Sequence, residues 1–408
     1  MKTWGLDDLK ARACEIVEEW ADRLIELSHD IHAHPELCFE ERHAHDACCD
    51  LLDAAGLVPL RHAGGLDTAF TAEAGAGDAT TVAICCEYDA LPEIGHACGH
   101  NIIATAGLGA GIAAAAVADD ARGRVRIVGT PAEEGGGGKI LLARAGVFDG
   151  CDAAMMVHPA GADLATMDVI ATAQIKVDYR GRAAHAAAAP QKGRNALDAA
   201  VLGYMGVAAL RQHIGPRERI HGIFTKGGDQ PNIVPDHTEM LWYVRAATAP
   251  KRDELQERVL AALEAGAAAT GCTMGWDVPG LPFSDMWHSR PLVEAWMANA
   301  SATGRQVLDG TTVSASTDMG DLSRMMPSIH PMIGVAPPDI SIHSAEFAHY
   351  AASPEGDRAV VDGAKALAMT AIDFWTRPDL RQAAAAEFAR KQADLPPGVV
   401  PTDGPPGS

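Results

Sequence analysis

Side chains that commonly bind metals or carry protons follow three apolar runs of this sequence. Asp89 lies in CEYDALP, and the adjacent Glu133 and Glu134 lie in TPAEEGGGG. His158 comes directly after the third run. The runs predict short buried strands: Thr81–Cys86, Val125–Gly129 and Ala153–Val157. Because sites in open α/β sheets assemble beyond the carboxyl ends of the strands, these side chains favour a metal site at that edge.

The segment HACGHN adds a cysteine and a histidine just before a predicted helix, Asn101–Ala118. The N-terminus of a helix stabilises a thiolate, which is the form of cysteine that binds a metal. Cys98 and His100 are therefore candidate ligands. The alternative is a buried cysteine beside a histidine that caps the helix. The short spacing matches no zinc finger.

Two adjacent carboxylates precede four glycines in TPAEEGGGG. On irregular backbone, Glu133 and Glu134 can point to different sides, so that one holds a metal and the other carries a proton. The alternative is a solvated acidic turn before a flexible loop. The glycines would let the backbone approach a site closely. A phosphate-binding loop is excluded, because the segment lacks that pattern and the carboxylates would repel phosphate.

Strands and helices alternate through residues 1–169, which predicts an α/β domain with a central sheet flanked by helices. Residues 170–282 follow the order β-α-β-β-α-β of a small ferredoxin-like α+β domain. Residues 283–380 return to helix and strand, so the small domain is predicted to be inserted into the large one. The Pro- and Gly-rich end, residues 394–408, is predicted to be disordered.

The composition limits the partners. The formal net charge of −21 argues against binding to nucleic acid or to an anionic membrane surface. No run approaches the roughly 18 apolar residues of a membrane span, and the first residues do not resemble a secretion signal. Nine cysteines, an odd number, do not suggest a disulfide framework. We therefore expect a reducing, cytoplasmic location.

Eight groups of residues occur in one order along the chain and together resemble one family of enzymes. They are HDIHAHPELCFEE, CEYDALPEIGHACGHN, TPAEEGGGGK, VHPAG, GRAAHAAAAP with GRNALDA, QPNIVPD, SASTDMG and IHSAEFA. These motifs resemble the co-catalytic metallopeptidases that include aminoacylases, hippurate hydrolases and auxin-conjugate hydrolases. The EYDALP, GHACGHN and STDMG segments are most similar to the branch of aminobenzoyl-glutamate hydrolases and β-alanyl-lysine dipeptidases. The resemblance spans about residues 29–350.

The resemblance implies two divalent metal ions bridged by Cys98. His100 and His158 would complete one site, and Glu134 and His343 would complete the other. As a lone histidine in SIHSAEF, His343 would otherwise be assigned to the surface. Zinc suits this ligand set best, and manganese and cobalt are the alternatives.

Two carboxylates receive further roles by the same resemblance. Glu133 would be the general base that takes a proton from the attacking water. Asp89 would orient a ligand imidazole, a role that metal sites commonly require.

The resemblance also assigns residues to the inserted domain, which would act as a lid and as the dimer interface. His185 would act from the partner subunit and polarise the scissile carbonyl of the substrate. Asn232 would hold that carbonyl and Arg245 the substrate carboxylate, since a guanidinium forks onto a carboxylate. The alternatives are a turn cap for Asn232 and a strand-edge charge for Arg245.

Ser316 and Thr317, in a predicted loop, are candidates to line the same pocket. Closure of a lid would require hinges near residues 168–172 and 281–285.

The function expected is hydrolysis of an amide bond in a small molecule, an N-acyl amino acid or a related amide of the aminobenzoyl-glutamate kind. One alternative is a dipeptidase for a β-alanyl or basic dipeptide, and another is hydrolysis of an N-carbamoyl or carbamate bond on the same scaffold. From a different class, the alternative is a non-catalytic binding protein that retains the fold.

Overall fold

The computed structural model describes residues 4–310 and 314–395 of the chain. The chain divides into two compact units. The large unit comprises Met1–Asp168 and Met286–Ser408, and the inserted unit comprises Val169–Asp285. The tail expected to be disordered, residues 394–408, lies outside the described residues from residue 396 onward.

The large unit is built from nine helices and ten strands or strand portions among the described residues. Its helices are α1 Leu6–Ala33, α2 Arg42–Ala54, α3 His100–Ala121, α4 Gly138–Arg144, α7 Arg290–Ala302, α8 Met319–Leu322, α9 Ala345–Tyr350, α10 Pro354–Thr376 and α11 Pro378–Ala393. Its strands are β1 Leu60–Arg61, β2 Phe70–Gly75, β3 Thr80–Cys86, β4 Gly123–Gly129, β5 Ala153–Met155, β6 His158–Ala160, β7 Asp168–Val169, β12 Ser314–Ala315, β13 Ser328–Ile329 and β14 Met332–Gly334, where β7 continues into the inserted unit.

A six-stranded sheet lies at the centre of the large unit, in the order β1-β2-β4-β3-β5-β13. Strand β3 runs parallel to both β4 and β5, and β5 runs parallel to β13. The apolar runs predicted as strands are thus adjacent and point the same way. The predicted strand Ala153–Val157 differs in its end, because β5 stops at Met155 and β6 pairs with β14 instead.

Helix α3 forms the middle of the hydrophobic core. It is long and apolar enough, by length and composition, to cross a membrane, but 89% of its most apolar window is buried inside the protein. It packs between α1, α10 and strands of the central sheet. The helix approaches the sheet closely because a Cβ atom at Gly111 would lie 2.4 Å from Ile127 of β4. Helix α3 is therefore the buried helix that the Ala-rich sequence predicts.

The inserted unit contains one four-stranded sheet and two long helices. Its elements are β8 Ala171–Arg180, α5 Ala196–Leu210, β9 Arg219–Lys226, β10 His237–Ala246, α6 Ala249–Thr270 and β11 Thr273–Asp277. The sheet order is β11-β8-β10-β9, and all neighbours are antiparallel. This element order is that of a ferredoxin-like α+β domain. Its apolar core includes Tyr179, Trp242 and Leu263, which lie between the sheet and the helices.

Candidate metal centre

The candidate ligands lie where the parallel strands of the central sheet end. Residue Glu87 follows β3 at once, and the loop of residues 130–137 follows β4. His158 begins β6, which comes shortly after β5, and His100 is the first residue of α3. Because β3, β4 and β5 are neighbouring parallel strands, their carboxyl ends meet at one edge of the sheet. The topology therefore brings these segments together.

Cys98, His100 and His158 form one group of potential ligand atoms, all within 4.8 Å of one another and all buried. The Sγ atom of Cys98 lies 3.4 Å from Nε2 of His158. The other ring nitrogen of His158, Nδ1, donates to the carbonyl oxygen of Pro159 at 2.7 Å. Burial lowers the pKa of His158 to about 4. The ring is therefore neutral, and its free electron pair at Nε2 faces Cys98.

The orientation of His100 is fixed by Asp89. Nδ1 of His100 donates to Oδ1 of Asp89 at 3.0 Å, and both side chains are fully buried. Nε2 of His100 is buried and has no hydrogen-bond partner among the described residues. The second oxygen of Asp89 accepts the backbone N–H of Glu134 at 3.0 Å. Burial opposes the ionisation of Asp89, but His100 and two backbone N–H groups lower its pKa to about 2.

Cys98, Glu134 and His343 form a second group within 4.8 Å. Nε2 of His343 lies 3.3 Å from Sγ of Cys98 and 3.3 Å from Oε1 of Glu134. The backbone of His343 has a φ of 64°, a conformation that side chains other than glycine rarely adopt. Its N–H donates to the carbonyl oxygen of Ala97 at 2.8 Å, next to Cys98. Such strain is typical of functional sites, and here it directs a remote histidine to Cys98.

The two groups fit a pair of metal ions that share one thiolate. Bonds of about 2.0–2.3 Å in tetrahedral geometry place neighbouring ligand atoms about 3.3–3.8 Å apart. The separations of 3.3 and 3.4 Å around Cys98 match this spacing. Nε2 of His100 and Oε1 of Glu134 are buried polar atoms without a hydrogen-bond partner among the described residues. The mixed sulfur, nitrogen and oxygen donors suit zinc and allow manganese or cobalt.

The protonation of Cys98 differs from the sequence expectation. The helix α3 begins two residues later, as predicted, but the cysteine is only 5% exposed. Burial, followed by the charge of Glu134, raises the pKa of Cys98 well above its ordinary value. The helix N-terminus alone therefore does not produce a thiolate, and a cation must supply the missing charge compensation.

The adjacent carboxylates have opposite environments. Burial and the charges of Glu87 and Glu134 raise the pKa of Glu133 well above its ordinary value. Burial acts in the same direction on Glu134, but the hydrogen bond with His343 and the charge of His100 lower its pKa. Neighbouring acids whose pKa values are driven apart are typical of a proton carrier beside a permanently charged group. This difference assigns the proton to Glu133 and the cation to Glu134.

Buttresses from other segments hold the loop that carries these carboxylates. Oε1 of Glu41 accepts the backbone N–H of Ala132 at 2.9 Å, and Ala132 has a φ of 59°. At the end of the loop, a Cβ atom on Gly138 would lie 1.8 Å from the carbonyl oxygen of Pro131. Glycine is therefore required where the loop turns into α4, which gives the expected close backbone approach a specific position.

The candidate substrate residues of the inserted unit lie partly together. The segments around His185 and Asn232 pair, since the N–H of Ala186 donates to the carbonyl oxygen of Asn232 at 3.0 Å. Both side chains are at least half-exposed. Nδ1 of His185 accepts the N–H groups of Ala187 and Ala188, each at 3.2 Å. In the neutral ring the proton is therefore on Nε2, which can donate to a carbonyl oxygen.

Arg245 lies on β10, and its guanidinium lies over the ring of Tyr243, 5.3 Å from the centroid. In the large unit, Thr317 is buried, and its hydroxyl accepts the N–H of Met319 at 3.2 Å. This local cap is a structural role that the sequence did not suggest for Thr317. Ser316 is half-buried in the same segment.

Sequence reasoning missed three buried charges beside the ligands, namely Glu87, Lys139 and Asp318. Each lies within or next to a motif that the resemblance used, but nothing in the spacing of residues 87, 139 and 318 indicates that they meet. A lysine after four glycines was the available signal, since lysine is almost never fully buried unless it is paired.

Known proteins share both the sequence and the fold. The model of Peptidase family M20/M25/M40 matches residues 83–372. A Xaa-Arg dipeptidase of Mus musculus is 38% identical over 404 residues, covering 95% of this chain and 93% of that protein. One of the two kinds of p-aminobenzoyl-glutamate hydrolase chain in Escherichia coli (strain K12) is 35% identical over 281 residues, covering 64% of this chain and 58% of that protein. The solved structure of a dinuclear metal-binding peptidase of the M20 family from Bacillus subtilis has a TM-score of 0.69 at 20% identity, covering 88% of this chain and 99% of that chain.

Proposed function

The chain belongs to Peptidase family M20/M25/M40 and is a metal-dependent amide hydrolase, and we propose that it is a dipeptidase that releases a basic amino acid. Membership confirms the family that the motifs resemble. The proposed chemistry depends chiefly on one observation: two groups of ligand atoms share Cys98, and an acid of raised pKa, Glu133, lies beside them.

The proposed ligands would hold two divalent cations, with zinc as the first choice and manganese or cobalt as alternatives. Cys98 would be shared, with His100 and His158 on one side and Glu134 and His343 on the other. When bound, such cations lower the pKa of water toward about 7 and polarise a carbonyl group. Atomic absorption on protein reconstituted with each metal tests both the number of ions and the choice of metal.

The residues of the chain then divide the remaining work. Glu133 takes a proton from the attacking water and returns it to the leaving amine, a task that its raised pKa suits near neutral pH. His185 donates from Nε2 to the scissile carbonyl oxygen, as its tautomer permits. Asn232 contributes to the same oxygen, and Arg245 binds the free carboxylate of the released amino acid. Ser316 and Thr317 lie next to one another in a segment that would line the pocket.

The substrate class is inferred from the relatives and from charge. Similarity to a Xaa-Arg dipeptidase extends over nearly the whole of both chains, whereas similarity to the aminobenzoyl-glutamate hydrolase chain covers 64% of this one. A net charge of −21 favours the approach of a cationic dipeptide over that of a dianionic acyl-glutamate. The aminobenzoyl-glutamate type is the second candidate, supported by the similarity of the EYDALP and STDMG segments.

A paired substrate series tests this assignment. The metal-reconstituted enzyme is given Ala-Arg, Ala-Lys, Ala-Glu, aminobenzoyl-glutamate and N-carbamoyl-arginine, and kcat/KM is measured for each. We expect the two basic dipeptides to be hydrolysed at least tenfold better than the others, a preference of about 1.4 kcal/mol. A preference for aminobenzoyl-glutamate or for the carbamoyl compound would reject the basic dipeptide as substrate while retaining the metal chemistry.

We also propose a homodimer formed through the inserted unit, in which the partner's His185 serves each active site. An exposed apolar face supports this proposal. On α5, Val201 is 45%, Leu202 48% and Met205 60% exposed. Phe224 of the edge strand β9 stacks on Tyr204 of α5, so the strand extends the same face. Exposed apolar patches beside an open sheet edge are typical of protein interfaces.

Sedimentation tests the dimer. The wild-type chain should sediment as a dimer, and Met205→Asp should shift it toward the monomer. A matched control is Val58→Asp, because Val58 is 84% exposed but lies in the large unit. A monomeric wild-type chain at micromolar concentration would reject the dimer.

A cytoplasmic location is proposed on the basis of the cysteines. All nine are free, and Cys48, Cys49, Cys85 and Cys86 are buried side by side in sequence pairs without forming disulfides. Free thiols in this number suit a reducing compartment. Fractionation of cells that express the chain from its own promoter, with detection by antibody, tests the location.

A further inference from the structure

Three charged side chains are completely buried next to the proposed ligands. Glu87, Lys139 and Asp318 each have an exposure of 0%. They come from three distant segments, namely the end of β3, the start of α4 and the residue before α8. We call these residues the buried charge network. Burying charges is costly, and apolar residues of similar volume usually give equal or greater stability, so the fold alone does not explain the network.

Lys139 joins the two carboxylates. Its Nζ lies 2.5 Å from Oε1 of Glu87 and 2.7 Å from Oδ1 of Asp318. The other oxygen of Asp318 accepts the backbone N–H of Lys139 at 2.9 Å. Asp318 therefore holds both ends of this residue and fixes the first turn of α4. The loop of residues 130–137, which carries Glu133 and Glu134, ends at that turn.

The network also faces the metal centre. Because Oε1 of Glu87 is paired with Lys139, its Oε2 is directed to Nε2 of His100, at 3.5 Å. Glu87, His100 and Glu133 offer ligand atoms that all lie within 4.8 Å of one another. Two carboxylates and one ammonium leave the network with a net charge of −1. That charge lies beside the ring nitrogen of His100 that is to bind a cation.

We propose that the buried charge network is a positioning device for the metal centre, in which Lys139 directs Glu87 toward His100 and anchors the loop of Glu133. Glu87 increases the affinity for the cation at His100 through its negative charge. Lys139 and Asp318 set the position of Glu133 relative to the water that it deprotonates. This inference rests on the proposed roles of His100 and Glu133.

Four variants separate positioning from simple stability. Glu87→Gln removes a charge and keeps the shape, and Lys139→Met removes the central cation. The triple variant Glu87→Gln, Lys139→Met, Asp318→Asn removes every charge, so no buried carboxylate is left unpaired. The control is Lys10→Met, because Lys10 also pairs with a buried aspartate, Asp373, at 2.7 Å, but between helices α1 and α10. Each protein is assayed for zinc affinity by chelator competition, for kcat and KM, and for its unfolding midpoint.

Glu87→Gln should weaken zinc binding by about 10- to 100-fold, the range for residues that act through a metal ligand. Lys139→Met should lower kcat by at least about tenfold with a smaller change in KM. The triple variant should unfold near the wild-type temperature and still show both defects, which decides the matter if Lys139→Met fails to fold. Lys10→Met should unfold earlier but keep the wild-type kcat and zinc affinity.

A triple variant with wild-type zinc affinity and kcat would overturn the inference, because the network would then serve stability alone. An equal loss of kcat in folded Lys10→Met would overturn it as well. Failure of the proposed function gives a different result, in which the wild-type chain binds no zinc or keeps its turnover in Glu133→Gln.

Discussion

Asp89 holds the ring of His100 through a 3.0 Å hydrogen bond between Oδ1 and Nδ1. With its other oxygen, Asp89 accepts the backbone N–H of Glu134 at 3.0 Å. One carboxylate therefore orients a proposed ligand of each cation, His100 on one side and Glu134 on the other. The same hydrogen bond fixes the tautomer of His100, so that Nε2 is the nitrogen available to a metal.

Asp89→Asn should weaken the binding of zinc by about 10- to 100-fold, because an amide neither fixes the tautomer of His100 nor carries the charge that supports it. Competition with a chelator measures the change. The pKa of about 2 keeps Asp89 ionised throughout the usual assay range, so the defect should be the same at pH 6 and pH 8. Zinc affinity equal to that of the wild type would show that Asp89 has only a packing role.

Replacing each of the adjacent carboxylates should give different defects. Glu133→Gln should lower kcat by about 10²- to 10⁴-fold with metal content near that of the wild type, since the amide cannot accept the proton. Glu134→Gln should lose metal, because its charge pairs with the side of the site that holds His343. Metal analysis beside turnover distinguishes the two. Loss of metal in Glu133→Gln, with retention in Glu134→Gln, would reverse the assignment.

Metal binding should release protons and strengthen with pH. Burial raises the pKa of Cys98, so the thiol is protonated near neutral pH until a cation binds and displaces the proton. Each proton released makes the affinity for zinc rise about tenfold per pH unit. Calorimetry in buffers of different ionisation enthalpy counts the protons, and Cys98→Ser should release one fewer and bind zinc more weakly. Equal proton release and affinity in Cys98→Ser would place Cys98 outside the metal site.

Much of the large unit could be predicted from the sequence because its strands are apolar and short. The runs that became β3 and β4 are buried between helices, so composition and length sufficed. The end of β5 could not be predicted, since the chain leaves β13 for β14 after Met155 although Val157 continues the apolar run. Partners of a strand depend on distant residues, which a local pattern does not contain.

The site was predictable wherever a motif placed ligands at a strand or helix end. His343 was assigned only through the resemblance, because its position depends on a strained φ of 64° and a hydrogen bond to Ala97. The buried charge network was missed for a related reason. Lys139 and Asp318 are separated by 179 residues, and only the folded chain shows that their charges are paired and hidden from water.

Mixing two inactive variants tests the shared active site. His185→Ala should be nearly inactive with full metal content, and so should Glu133→Gln. In a hybrid dimer, one site would combine an intact Glu133 with the partner's His185. Random exchange at equal amounts makes half of the dimers hybrids, each with one working site of two, so recovery should approach about a quarter of the wild-type activity. Proven exchange without recovery would mean that His185 acts within its own chain or has no catalytic role.

The central claim is that Cys98 is shared by two cations, and anomalous diffraction tests it most directly. Crystals of the zinc-reconstituted chain are measured on both sides of the zinc absorption edge. We expect two peaks per chain, each about 2.3 Å from Sγ of Cys98, one also bound by His100 and His158 and the other by Glu134 and His343. A single peak at full zinc occupancy, or two peaks that do not share Cys98, would contradict the account.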